Sequence, residues 1–166
     1  MKHRLLLALL LLVLPIAAVD SAPQPEIRPF VRGSWHELRK AHEGQPIVVH
    51  FWGLTCGPCL AELPSWEAEA KRRPDLQLVL IDASPFGDDP KAAWAVLSQI
   101  GLSRKENWVF ADRFEERLRF EIDPHWHGEM PYTLFIGRDG TVTATTGVTH
   151  FADLNAWLDR QAKTGS

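Results

Sequence analysis

Two cysteines separated by a Gly-Pro dipeptide, Cys56-Gly57-Pro58-Cys59, stand at the junction of two unlike stretches of chain. Upstream, Ile47 to Trp52 reads IVVHFW, a β-branched and aromatic run that predicts a buried strand. Downstream, Leu60 to Arg73 predicts a helix, with Pro64 inside it to kink the axis. A chain that must pass from a buried strand into a helix through so tight a turn has few architectures open to it. Pro58 fits the first helical turn, where no backbone N–H is needed. The free N–H groups and positive dipole end of that helix favour a thiolate on Cys56. Cys56 is therefore read as the exposed, reactive thiol and Cys59 as the buried, resolving one, and the spacing allows the two to close a small disulfide ring.

The remaining chain alternates in the same way. Ser34 and Glu37 have the spacing of a capping box, predicting a short helix to His42 that stops at Gly44. Leu76 to Ile81 predicts a second buried strand, Pro90 to Ile100 a helix, Trp108 to Ala111 a short strand and Arg113 to Phe120 a short helix. Pro131 to Ile136 predicts another strand, and Arg138-Asp139-Gly140 a hairpin turn into an antiparallel edge strand, Thr141 to Thr146. Thr149 is placed to cap a last helix, Phe151 to Gln161. This order predicts an α/β fold, a central mixed β-sheet flanked by helices. Its active end is expected where the first long strand meets the first long helix.

Composition narrows the function. With 166 residues, 45% hydrophobic and 23% charged, the chain can bury one core and is not disordered. A net charge of −3 with no run of Lys or Arg argues against nucleic acid as a partner. Two cysteines are too few for a disulfide scaffold or a cysteine-only zinc site. Lys2 and Arg4, the apolar run Leu5 to Leu14 and the small residues from Pro15 to Ala22 have the layout of a secretory signal over residues 1–22. Cleavage near Ala22 is the main expectation and a retained anchor the alternative; the chain meets the membrane only if that segment stays. Export, into the periplasm, would put the cysteines where a disulfide persists.

The stretch Phe51-Trp52-Gly53-Leu54-Thr55-Cys56-Gly57-Pro58-Cys59 resembles the thioredoxin active site, and Pro64 is similarly placed in that family. Cys59-x-x-Glu62-x-Pro64 is closer still to the TlpA/ResA group, exported thioredoxin-like disulfide reductases. Those proteins carry an extra strand–helix segment, for which Asp82 to Phe120 has the length and pattern. Glu129-Met130-Pro131-Tyr132-Thr133 resembles the loop that presents a cis-proline to the cysteines. The resemblance implies a thioredoxin-like domain over residues 30–163, a redox-active Cys56–Cys59 pair and no cofactor or metal. It implies that Pro131 is cis and that Met130 offers its backbone to a substrate segment. The activity it implies is reduction of specific extracytoplasmic protein disulfides, as in cytochrome c or copper-protein maturation, with electrons from a membrane DsbD-type donor. A general disulfide oxidant or isomerase is one rival. A copper-binding chaperone using Cys56 and Cys59 with His125 and His127 is the other.

Two departures from the family pattern, at His50 and Thr55, and two further features bear on mechanism. His50 stands six residues before Cys56, where thioredoxins bury an acid, and strand alternation puts it on one face with Val48 and Trp52. It reads either as an acceptor for the proton of Cys59 or as a neutral core histidine hydrogen-bonded to backbone. Thr55 replaces the Trp that usually precedes the first cysteine, removing an apolar contact for substrate. The segment His125-Trp126-His127 is read as a rim beside the site. Glu62, one helical turn after Cys59 on the same face, reads either as a proton relay or as an acid favoured by the helix start.

Overall fold

The computed structural model describes residues 27–84 and 89–164. The expected signal segment, residues 1–22, lies outside the described residues. In chain order the elements are β1 (Arg28–Phe30), α1 (Ser34–Ala41), β2 (Ile47–Trp52), α2 (Gly57–Arg72), β3 (Gln77–Asp82) and α3 (Pro90–Ile100). They continue with β4 (Glu106–Phe110), α4 (Glu115–Ile122), β5 (Tyr132–Ile136), β6 (Val142–Thr146) and α5 (Phe151–Thr164). The strands form one sheet in the order β1-β4-β3-β2-β5-β6. β1, β4, β3 and β2 pair in parallel, whereas β5 pairs antiparallel with β2 and with β6. This is the expected mixed sheet, with the hairpin β5–β6 at one edge.

Every residue of β2 is buried, because the strand lies between β3 and β5 and is covered on both faces. Alternation sends its side chains into two separate core layers. Val49 and Phe51 pack with Phe30, Ile81, Trp126 and Leu134 on one side. Val48 and Trp52 pack with Cys59, Leu63, Trp66 and Leu154 on the other. The second layer is the underside of α2, so the helix that begins at the cysteines is anchored by the strand that leads into them.

Several local expectations are corrected. β1 was not predicted: it has three residues, contains a proline and buries only Phe30, too little for a periodic signal. Phe30 nonetheless anchors it, stacking on Phe110 of the paired β4 at 5.4 Å. The capping box at Ser34 and Glu37 does not form. Gly33 is the N-cap, in a left-handed conformation at φ 86°, and no side chain caps the helix. Ser34 already belongs to the helix, and its hydroxyl accepts from the Val31 N–H at 3.0 Å. Thr149 does not cap α5: the N–H groups of Asp153 and Leu154 donate to the His150 carbonyl at 2.9 and 3.1 Å, and Thr149 is buried. α2 starts at Gly57, earlier than the apolar periodicity indicates, and stays one helix through Pro64. α3 has its expected bounds, capped by Asp89, whose carboxylate accepts from the Lys91 N–H at 3.0 Å. Among the described residues no helix is long and apolar enough to cross a membrane.

Leu63 lies wholly buried where α2 meets β2. Leu63→Ala is expected to cost about 2 to 5 kcal/mol, measured as a shift in urea unfolding without a change in slope. A cost below about 1 kcal/mol would mean that α2 is not anchored through this layer.

Candidate active site

β2 delivers the chain to Gly53, whose carbonyl accepts from the Cys56 N–H at 3.1 Å. Cys56 then serves as N-cap of α2: its carbonyl accepts from the Leu60 N–H at 3.0 Å and its Sγ from the Cys59 N–H at 3.2 Å. The two cysteines are joined in a disulfide. Cys56 is half-buried at the surface, and Cys59 is fully buried behind it. A helix N-terminus aimed at Sγ is the setting that favours a thiolate on reduction.

The Met130–Pro131 peptide bond is cis. The segment before it is tied down by side chains. The Tyr132 hydroxyl donates to Asp123 Oδ2 at 2.6 Å, the His125 N–H to Asp123 Oδ1 at 2.8 Å and the Trp126 indole to the Glu129 carbonyl at 2.9 Å. The Tyr132 hydroxyl holds the Asp123 carboxyl below its ordinary value, while burial, then Asp123, push the phenol up. Pro131 is buried, and Met130 is half-buried against both core layers, including the one that holds Cys59. Gly53 marks the convergence point: a Cβ there would lie 2.2 Å from Ser84 Oγ and 3.4 Å from Met130 Cε. A side chain there would have to displace the buried Ser84 hydroxyl, and no sequence signal distinguishes Gly53 from a linker glycine.

Beneath the disulfide lies a buried polar chain. Glu62 Oε1 accepts from the Thr149 N–H at 2.8 Å; Thr149 Oγ1 is 3.1 Å from Thr133 Oγ1; Thr133 Oγ1 is 2.9 Å from His50 Nδ1. All four residues are buried, and Cys59 and Glu62 share the inward face of α2. Glu62 Oε2, His50 Nε2 and the Trp66 indole N–H have no hydrogen-bond partner among the described residues. The Trp66 ring packs at 5.0 Å from the His50 ring. Burial raises the Glu62 carboxyl above its ordinary value, opposed by Thr149 and more weakly by the Trp66 indole, which favours the anion from outside hydrogen-bond geometry. Burial pulls His50 down to about 3, so the imidazole is neutral. His50 thus bonds to a side chain rather than to backbone, and it is no cation near neutral pH. Thr133 carries no sequence signal for the site and Thr149 reads there only as a helix cap, because a strand threonine and a loop threonine look like surface residues until the fold buries them.

The other expected residues lie apart. Trp126 is core rather than rim, stacked on Tyr132 at 4.8 Å and packed on Phe51 at 4.7 Å. His125 and His127 are exposed. Among the described residues no group of three or more His, Cys, Asp or Glu is placed to hold a metal ion, so Cys56, Cys59, His125 and His127 are not assembled as a ligand set in this oxidised structure.

No protein-family model matches the chain, and no curated protein matches it significantly. Solved structures do. The chain is similar to a secreted Mycobacterium tuberculosis disulfide oxidoreductase homologous to Escherichia coli DsbE, at 24% identity, TM-score 0.59, covering 73% of this chain and 85% of that one. It is similar to StoA from Bacillus subtilis at 19% identity, TM-score 0.54, with 70% and 84% covered. A thioredoxin-family thiol:disulfide interchange protein from Chlorobium tepidum aligns at 15% identity, TM-score 0.57, with 74% and 83% covered. The fold is the thioredoxin fold.

The buried pair predicts two opposite stability–pH slopes. Ionising Glu62 costs more in the folded than in the unfolded protein, so the stability it confers is complete below its ordinary 4.5 and is lost as pH rises through the raised value. Glu62→Gln should therefore gain stability relative to the parent as pH rises above about 4.5, until the raised value is passed. For His50 the sign reverses, because stability present above 6.5 is lost as pH falls toward about 3. His50→Asn should gain relative stability over that acid range, by up to about 1.4 kcal/mol per pH unit. Urea unfolding at a series of pH values reads both; flat differences would mean that neither group is shifted.

Proposed function

We propose that this chain is an exported thiol–disulfide oxidoreductase that reduces specific protein disulfides outside the cytoplasm, through Cys56 and Cys59. The observation that carries the reading is the disulfide at the start of α2, with Cys56 half-exposed and Cys59 fully buried, together with a cis Met130–Pro131 bond whose Met130 packs on the core layer that holds Cys59. Similarity to a secreted disulfide oxidoreductase supports it.

In this reading the Cys56 thiolate attacks one sulfur of a substrate disulfide, forming a mixed disulfide and releasing a substrate thiolate. The Cys59 thiolate then attacks Cys56 Sγ, closing the disulfide seen here and releasing the second substrate thiolate. Two electrons pass to the substrate, and two protons complete its thiols. Glu62, within a turn of Cys59 and raised by burial, takes the proton that Cys59 must lose. The backbone at Met130 and Pro131 pairs with the substrate segment, and the flexible Met130 thioether accommodates varied partners. A membrane thiol donor of DsbD type restores the reduced pair, and the natural substrates are apocytochrome c or copper-protein cysteines. Residues 1–22 direct export.

Cys59→Ser leaves Cys56 able to attack with nothing to resolve the product, so mixed disulfides should accumulate in the native host and be identified by mass spectrometry. Cytochrome c or copper-protein cysteines among the adducts support the specific reductase. A broad spread of secreted proteins favours a general oxidant or isomerase, and no adduct from a folded, titratable Cys56 overturns exchange altogether. Equilibration with glutathione should give a potential near about −270 mV, and a value near about −120 mV would exclude a reductase.

A further inference from the structure

Proton exchange at Glu62 leaves one buried group unexplained. His50 occupies a fully buried position on β2, is neutral and touches neither cysteine through a hydrogen bond, yet its ring nitrogen starts an unbroken polar chain to Glu62. We propose that His50 is a positioning residue for Glu62: its Nδ1–H begins a hydrogen-bonded chain through the Thr133 and Thr149 hydroxyls that holds Thr149, whose backbone N–H donates to the Glu62 carboxyl. The inference rests on the exchange role of Glu62 for its meaning, although not for its test.

Direction along the chain follows from which atom is left bare. His50 Nε2 has no partner among the described residues. A proton there would strand a buried N–H, whereas a proton on Nδ1 strands only a lone pair, the cheaper defect. With the proton on Nδ1, Thr133 Oγ1 accepts from His50 and donates to Thr149 Oγ1. Thr149 Oγ1, held by Thr133, fixes the residue whose backbone N–H donates to Glu62 Oε1 at 2.8 Å. The histidine tautomer sets the polarity of both hydroxyls. The chain holds the Thr149 N–H against the carboxyl, offsetting part of the desolvation that opposes its charge.

The groups on the chain come from four parts of the fold: His50 on β2, Thr133 on β5, Thr149 ahead of α5, and Glu62 with Trp66 on α2. The influences on Glu62 are burial, Thr149 and Trp66, with no Lys, Arg or second carboxylate among them. In the oxidised protein the two cysteines do not titrate. A change in the proton affinity of Glu62 therefore reports on the dipoles around it.

The test follows the 13C signal of the Glu62 carboxyl by NMR across pH in the oxidised full-length protein. Thr133→Val keeps the shape of the side chain and cuts the chain, so the Glu62 midpoint should rise by about half a unit to one unit. His50→Leu should raise it similarly, whereas His50→Asn, whose amide can place an N–H where Nδ1 stood, should return it close to the parent value. An unchanged midpoint in Thr133→Val, or equal shifts in His50→Asn and His50→Leu, would overturn the proposal. The readout needs no thiol chemistry. A Glu62 midpoint that responds as stated, in a protein whose exchange rate ignores Glu62→Gln, would sink the exchange role of Glu62 and leave the hydrogen-bonded chain standing.

Discussion

Burial of β2 on both faces is the constraint from which the site is built. A central strand must send alternate side chains into two dry layers, and in this chain one of those side chains is an imidazole. His50 therefore needs a polar partner inside a core made of Val48, Trp52, Leu63 and Trp66. Thr133 on the adjacent β5 supplies it, because the antiparallel register places His50 opposite Thr133. Thr133 in turn reaches Thr149, and Thr149 reaches Glu62 on the helix packed against the same face. The strand thus fixes both the start of α2, through Gly53, and the polar floor beneath it.

That floor is not an ion pair. A charged histidine and a charged glutamate in the same layer would each need compensation for lost hydration, and the chain separates them by two hydroxyls. Burial instead drives both groups toward their neutral forms, His50 downward and Glu62 upward. A neutral histidine can hand on only a dipole. A carboxyl raised toward the working pH range is suited to exchanging a proton with a nearby thiol, whereas one held as an anion by a salt bridge would be a poor acceptor.

How much of this was legible beforehand depends on whether the signal was local. The strand IVVHFW, the helix from Pro90 and the RDG hairpin carry their structure in their own residues, and their expected places held. Cys56 at the start of the helix, with Cys59 buried behind it and Glu62 one turn further on the same face, is legible from spacing and from Pro58, although the helix begins earlier than its apolar periodicity indicates. Caps were misread because Ser34 and Thr149 are good cap residues whose hydroxyls were taken by other partners once the chain was folded. β1 and the burial of Thr133 and Thr149 carry no local signal for the same reason. Their burial comes from strands and loops far away in sequence, and nothing within a short window encodes it.

The exchange of an acid for His50 on the strand can now be related to the acid on the helix. Thioredoxins, which this chain resembles around its cysteines, bury an acid at the strand position, six residues before the first cysteine. Here that position is basic in type but neutral in state, and the buried carboxylate sits at Glu62 instead, one turn beyond Cys59. Placing both acids in one layer would set two buried carboxyls against each other, each raising the other's proton affinity. A histidine at the strand position avoids that conflict and still fills the hydrogen bond with Thr133. The two positions are then one unit: the carboxyl, which we propose takes the proton of Cys59, sits on the helix, and the strand holds the other end of its hydrogen-bonded chain.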